Sequence, residues 1–254
     1  MNAARWLCAA LLWLPTVSAQ VRYTGLPPDA VVIEQEPVPE SAHPNRLLVL
    51  WMKSPQRNPR SGTPEENPYT CPELTRGHYY RGPTAVSLVD TAARRVINSV
   101  NIATPEESAF DIPYLIEAGH SYVVPGNLIH NEGKPKLLAL RDYNGDGKAL
   151  EVAFFQAWAC MGLQTTLIGY SEKQDKVIQY SVELVSEVDG KHSRQTERWV
   201  DYLFSMKPVR PGYWKYEIDY TGRGGWLVSY EIRYDAAKER FTGKVVSTGG
   251  DDIK

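Results

Sequence analysis

Hydrophobic and polar residues alternate with a period of two along much of the second half of the chain. Residues 178–184, 214–220 and 228–234 each place apolar or aromatic side chains at every second position, with polar side chains between them. A strand that buries one face and exposes the other to water has this pattern. The glycine-rich residues 221–225 separate the last two runs and predict a hairpin connection.

Other runs are apolar at consecutive positions. Residues 47–52 and 152–158 are short and apolar on both faces, which is typical of strands covered on both sides. Residues 84–89 and 95–102 predict a hairpin, and residues 241–246 predict a last strand. The segment 197–206 fits either a helix or a strand, and the neighbouring strands favour a strand.

These patterns predict about ten to twelve short strands and almost no helix. We therefore expect an all-β fold, built as an antiparallel two-sheet sandwich or a barrel-like body, in one domain over residues 46–254. An irregular propeller-like arrangement is the alternative. It is the weaker expectation because the sequence shows no repeat of about 20–50 residues.

The N-terminus has the pattern of an export signal. Residues 1–19 contain one charge, Arg5, followed by the apolar run 6–14 and a small-residue site ending at Ala19. Cleavage after Ala19 would make Gln20 the first mature residue and predicts a secreted or periplasmic protein. Residues 20–45 are rich in Pro and Glu, and are either an extended leader that adds a strand to the body or a disordered segment.

Composition argues against two classes of partner, nucleic acid and the membrane interior, and cysteine content bears on disulfide formation. The net charge is −2, which argues against nucleic acid as a partner, and no internal apolar stretch is long enough to span a membrane. Signal removal would also remove Cys8 and leave Cys71 and Cys160 as the only cysteines. An oxidising compartment favours their pairing, so we predict a disulfide that fixes the proline-rich loop 53–81.

The loop that follows residue 140 is the best candidate for chemistry. It carries oxygen-bearing side chains at alternate positions, Asp142, Asn144 and Asp146, and two glycines that permit a tight turn. Ca²⁺ prefers six to eight oxygen ligands, and a turn of this kind also offers the carbonyl at its seventh position, here that of Lys148. The alternative is a metal-free Asn-Gly and Asp-Gly turn.

Residues 142–151 resemble the DxNGDG calcium loop of FG-GAP and VCBS-type repeats, and also the first half of an EF-hand loop. The resemblance implies bound Ca²⁺ in a loop that joins two strands. The FG-GAP pattern has its next acidic ligand at the ninth position, which here is Leu150. The acid follows at the tenth position, so Glu151 is the candidate closing ligand.

We therefore expect an exported calcium-binding β-domain that acts as a binding or structural module. Its partners would be an extracellular glycan or a protein. The alternative is a secreted hydrolase that acts on glycans or a similar extracellular substrate, with calcium as a structural ion. The aromatic strands 214–220 and 226–234 are either a sugar-stacking face or core packing. The sequence nominates no catalytic residue.

Overall fold

A computed structural model of the chain describes residues 22–39, 41–58, 79–102, 136–158, 162–188, 191–223 and 225–248. These residues form an all-β structure, as the sequence predicts, with two single 3-10 turns at Leu203–Ser205 and Thr221–Arg223. The strands are β1 (Ala30–Pro37), β2 (Arg46–Lys53), β3 (Gln56–Asn58), β4 (Tyr79–Arg81), β5 (Thr84–Asp90), β6 (Arg95–Asn101), β7 (Glu151–Trp158), β8 (Gly162–Ser171), β9 (Lys176–Tyr180), β10 (Val182–Val188), β11 (Lys191–Glu197), β12 (Val200–Asp201), β13 (Tyr213–Asp219), β14 (Leu227–Asp235) and β15 (Arg240–Thr248).

The first sheet has the order β1-β2-β5-β6, and all of its pairs are antiparallel. Its β5–β6 hairpin is the one that the sequence predicts. The segment before β1 lies along the opposite edge of this sheet, where Thr24 forms a parallel bridge with Arg95. Residues 22–37 therefore run from one edge of the sheet to the other. β3 and β4 form a separate two-stranded pair.

The second sheet contains β7, β8, β9 and β12. β8 pairs along its length with β7, and on its other side with β9 and then β12. The third sheet has the order β11-β10-β15-β14-β13, in which only β10 and β15 are parallel among the strand pairs of the described residues. No sheet of the described residues closes into a barrel.

The second sheet lies between the other two and is covered on both faces. One face contributes Val152 and Ile168 to a core shared with Leu48 and Leu88 of the first sheet. The opposite face contributes Ala153 and Leu167, among others, to a core with the third sheet. The consecutive apolar run in β7 is explained by this position, because both faces of the strand are buried.

Polar contacts join the first and second sheets at one side. The Asn98 side chain of β6 exchanges two hydrogen bonds, of 2.7 and 3.0 Å, with the backbone of Val177 on β9, as a neighbouring strand would. Arg46 at the start of β2 donates to both carboxylate oxygens of Asp175 and also to Asp90. These contacts fix the edge of the first sheet against the central one.

Two strand predictions are wrong in detail. The alternating run 178–184 is not one strand, because the chain changes sheets at Ser181 between β9 and β10. After Glu197, the last residue of β11, the segment 197–206 contains only the two-residue strand β12 followed by a 3-10 turn. Tyr202 at the start of that turn has a φ of +57°, which ends the extended conformation.

Several predictions concern residues outside the described part of the chain. These are the export signal at residues 1–19, the middle of the loop 53–81, and both Cys71 and Cys160. Export and the disulfide therefore stay predictions. No helix among the described residues is long and apolar enough to cross a bilayer.

Candidate metal-binding loop

The candidate loop enters the central sheet at the start of β7. Arg141 and Glu151 close its base with two backbone hydrogen bonds, of 2.8 and 3.2 Å. Beyond this pair the chain continues directly into β7, and Leu150 on the loop side is buried. The loop is therefore anchored to the strand that both cores share.

Asp142 organises the first half of the loop through its carboxylate. The backbone N–H of Gly145 donates to Oδ1 at 2.7 Å, and that of Gly147 donates to Oδ2 at 3.0 Å. Both glycines have positive φ, +81° and +89°, a conformation that glycine adopts at the lowest cost. The sequence pattern thus produces a turn wrapped around one carboxylate.

Asn144 and Asp146 continue the same arrangement. The N–H of Asp146 donates to Oδ1 of Asn144 at 2.8 Å, and the N–H of Lys148 donates to Oδ1 of Asp146 at 2.9 Å. The Asn144 amide in turn donates to Oδ2 of Asp146 at 3.0 Å. The three side chains that the sequence singles out are therefore held together on one turn, with Asn144 buried and Asp146 exposed.

Glu151 lies beneath this turn and is fully buried. Its Oε2 accepts the N–H groups of Tyr143 and Asn144 at 3.0 and 3.4 Å. Its Oε1 accepts the Asn144 amide at 3.0 Å and the Tyr180 hydroxyl at 3.5 Å. Burial raises the pKa of Glu151 to about 8, although the backbone donors act in the opposite direction.

Lys148 directs its ammonium group to another element. Its Nζ forms an ion pair with Glu172, in the turn between β8 and β9. This contact lowers the pKa of Glu172. Glu172 also accepts the N–H of Ala42 at 3.1 Å, so the loop and the segment before β2 meet at one carboxylate.

The outer side of the loop packs against the turn before β13. A Cβ added to Gly145 would lie 2.7 Å from Pro211, and one added to Gly212 would lie 2.4 Å from the Asn144 carbonyl oxygen. The Tyr143 ring meets Phe204 edge-on at 5.8 Å. The loop therefore touches the third sheet and its core as well as β7.

The acidic groups near the loop do not converge as a metal cluster. Among the residues described here, no three His, Cys, Asp or Glu side chains are arranged to hold a metal ion. Asp142 and Asp146 are two carboxylates, Asn144 is a neutral oxygen donor, and the four contacts to Glu151 come from protein groups. The oxygens on the exposed side of the turn therefore come from Asp142, Asn144 and Asp146, and Glu151 lies beneath them.

Sequence reasoning missed the partners that hold the loop in place. In the chain, Tyr180 follows its partner Glu151 by 29 positions and Glu172 follows Lys148 by 24. Gly212 follows Asn144 by 68 positions, and no local pattern connects any of the three to the loop. The sequence signal that bears on these partners is the Pro211-Gly212 pair, which predicts a turn but not its contact with the loop.

The aromatic strands pack inward. Trp214, Tyr230 and Tyr234 belong to or pack against the core between the second and third sheets. Tyr216 stacks on Tyr230 with ring centroids 4.8 Å apart. These contacts favour the core-packing interpretation of the aromatic pattern over a sugar-stacking face.

Comparison of the chain with protein-family models, with curated proteins and with solved structures gives no match. The residues of the loop and their contacts are therefore the basis on which a function is proposed.

Proposed function

We propose that this protein is an exported β-domain that binds one Ca²⁺ ion at the loop 142–148 and acts as a binding or structural module. The observation that supports this most directly is the turn itself. Backbone N–H groups already hold Asp142, Asn144 and Asp146 side by side. The entropy of ordering these ligands is therefore lost when the chain folds and not when a cation binds.

The ligands would be oxygens of one turn. Each carboxylate oxygen has two lone pairs, so an oxygen that accepts one N–H keeps a second position for a cation. Asp142, Asp146 and Asn144 supply side-chain oxygens, the Lys148 carbonyl supplies a fourth, and water completes the shell. Two charged ligands and two neutral ones favour weak binding, with a dissociation constant on the order of 10⁻⁴–10⁻³ M.

Glu151 would orient the ligands without reaching the ion. Both of its oxygens face donors of the protein, two of them from Asn144. A conformational change that turned Glu151 toward a cation would leave those donors buried and unpaired, which costs about 1–3 kcal/mol for each. Its burial also argues against hydrolysis at this carboxyl, because a glycosidase acid must reach its substrate.

The proposal is tested by thermal unfolding in Ca²⁺ and in a chelator. At a free Ca²⁺ concentration of about ten times the dissociation constant, the free energy of unfolding should rise by roughly 1.4 kcal/mol. Asp146→Ala should remove this increase. The matched control is Asp219→Ala, which removes a carboxylate that caps another exposed turn through Thr221 and should keep the increase.

The fold of each variant is checked by circular dichroism in the chelator. Equal melting temperatures of the wild-type protein with and without Ca²⁺ would overturn the calcium proposal. The export proposal is separate and is tested by N-terminal sequencing of protein recovered from the periplasm or the medium. A chain that still begins at Met1 would contradict it.

A further inference from the structure

The loop contains the only Asn-Gly pair of the sequence, Asn144-Gly145. We propose that this pair is a self-modification site, at which Asn144 loses its side-chain nitrogen as ammonia and becomes an aspartyl or isoaspartyl residue. Asparagine followed by glycine is open to this reaction, because glycine has no side chain to block the approach of its backbone nitrogen. The structure adds two groups that assist the reaction.

The reaction has two steps and needs only water as a co-reactant. The backbone nitrogen of Gly145 attacks Cγ of Asn144, so that an N–C bond forms and a five-membered succinimide ring closes. The Cγ–Nδ2 bond breaks, and the proton that leaves Gly145 completes the departing ammonia. Water then opens the ring at either carbonyl, which gives aspartate or isoaspartate at position 144.

The first assisting group is a base on the attacking nitrogen. The N–H of Gly145 donates to Oδ1 of Asp142 at 2.7 Å. A carboxylate at that distance accepts the proton as the nitrogen forms its new bond. The second Asp142 oxygen is fixed by Gly147 at 3.0 Å, so the base is oriented toward the nitrogen.

The second assisting group stabilises charge on the attacked carbonyl. The N–H of Asp146 donates to Oδ1 of Asn144 at 2.8 Å, and this oxygen becomes negative when Gly145 attacks. The same hydrogen bond folds the side chain of Asn144 forward over the following peptide bond, because it joins a residue to the N–H two positions later.

The leaving nitrogen is held in a fixed position, and neither of its two hydrogen-bond partners gives it a proton. Nδ2 of Asn144 donates to Asp146 and to Glu151, at 3.0 Å each, which fixes the amide plane. Asn144 itself is buried, at 7% exposure, whereas residues 145–147 are exposed. Water can therefore reach the loop from the side of Gly145 and Asp146.

A second asparagine provides an internal control. Asn98 also has a fixed amide, whose oxygen and nitrogen both bind the backbone of Val177. It is followed by Ser99, which has a side chain. Asn98 should therefore stay intact under conditions in which Asn144 converts, although both amides are held by hydrogen bonds.

Conversion would change the charge of the loop. Aspartate at position 144 would give the turn a third carboxylate and would remove the amide donor that Asp146 and Glu151 accept. We therefore expect the aspartate form to be less stable than the wild-type protein in a chelator and to gain more stability from Ca²⁺. This consequence rests on the proposed function, whereas the modification itself does not. The Asn144→Asp variant reproduces the aspartate product and is compared with the wild-type protein by thermal unfolding in Ca²⁺.

The test is peptide mass mapping of purified protein incubated at neutral pH in a chelator. The folded wild-type protein should convert Asn144 faster than the same chain unfolded in urea, and Asn98 should be unchanged. Asp142→Asn, checked for folding by circular dichroism, should slow the conversion by about a hundredfold, because it removes the base. Asp219→Asn is the matched control and should leave the rate unchanged.

The comparison of conversion rates in folded and urea-unfolded protein uses only the wild-type chain. The test therefore does not depend on whether Asp142→Asn folds. If folded Asn144 converts more slowly than in urea, or converts at the same rate without the Asp142 carboxylate, the proposal is wrong. The absence of a calcium effect on Asn144→Asp would contradict only the metal proposal. The mass measurement would be unaffected by that result.

Discussion

At the scale of single residues, Glu151 decides whether the loop keeps its shape. It is the one buried carboxyl group that the loop folds around, and it accepts from two consecutive backbone N–H groups, those of Tyr143 and Asn144. From the sequence, the acid at this position is predicted to be a metal ligand. Its burial and its four hydrogen bonds, which local sequence does not show, favour a structural role.

Glu151→Gln should destabilise the fold. An amide has one acceptor oxygen, so its NH₂ group must face either the backbone donors or the Asn144 amide. We expect a loss of about 2–3 kcal/mol in the free energy of unfolding, measured by urea denaturation above the pKa of Glu151, where the carboxyl is ionised and both of its oxygens accept. The control is Glu217→Gln on the outer face of β13, which should change stability by less than about 0.5 kcal/mol. Equal losses of stability in the two variants would show that the buried hydrogen bonds of Glu151 contribute little to the free energy of unfolding.

Asp175 gives a second prediction, for pH dependence. Hydrogen bonds from Arg46, followed by one from Tyr170, lower the pKa of Asp175 to about 2 from its usual 3.8. A lowered pKa adds stability above the usual value, and this stability is lost as the pH falls from about 4 to about 2. Because the Asp175 side chain is 29% exposed, we expect a contribution of only about 1 kcal/mol.

Asp175→Asn should therefore be less stable than the wild-type protein at pH 5, and the difference should shrink toward pH 2.5. Urea denaturation across this range measures it. In a background of Arg46→Gln the same substitution should have little effect at any pH. A difference that stays constant with pH would argue against the Arg46–Asp175 pair as its source.

At the scale of elements, periodicity predicted the hairpins well and the sheet boundaries poorly. β13 and β14 alternate in sequence because one face packs on the core and the other meets water. The alternation of apolar and polar residues continues from β9 into β10 in the same way. The change of sheet at Ser181 does not interrupt it, so the sequence does not show where one strand ends and the next begins. That change depends on the parallel partner β15, which lies about 60 positions further along the chain.

The docking of the loop on the β13 turn yields a prediction with a matched control. Gly145 and Gly147 both have positive φ, so alanine costs about 1–2 kcal/mol of backbone energy at either position. Gly147 has no atom within 4 Å of an added Cβ, whereas Gly145 meets Pro211 at 2.7 Å. Gly145→Ala should therefore lower the melting temperature further than Gly147→Ala. If the two variants have the same melting temperature, the contact with Pro211 contributes little to stability.

At the scale of the whole molecule, the structure has one more layer than the two sheets that the sequence suggests. The doubly apolar run of β7 predicted a covered strand, and the structure confirms this. The third layer could not be counted from sequence, because sheet membership depends on contacts between distant segments such as Asn98 and Val177. The candidate loop residues could be nominated from sequence for the opposite reason, since all of them lie within ten consecutive residues.

The last prediction concerns the N-terminal segment 22–37 and its position on the first sheet. Tyr23 is buried at 8% exposure in a cluster with Val49 and Trp51, and its hydroxyl donates to Gln35 at 2.7 Å. Cleavage after Ala19 would keep this residue. A mature chain that begins at Gln20 should therefore be stable, whereas deletion of residues 20–28 should expose the apolar outer face of the sheet.

We expect this deletion to cost about 2–4 kcal/mol, because Tyr23 and part of the face it covers lose their burial. Tyr23→Phe is the matched control, since it keeps the ring and loses one hydrogen bond, and it should cost about 1 kcal/mol. Urea denaturation of the chains that begin at Gln20 and at Asp29 measures the difference. If both chains unfold at the same urea concentration, the contacts of Tyr23 do not stabilise the sheet, and β1 alone is sufficient to cover its edge.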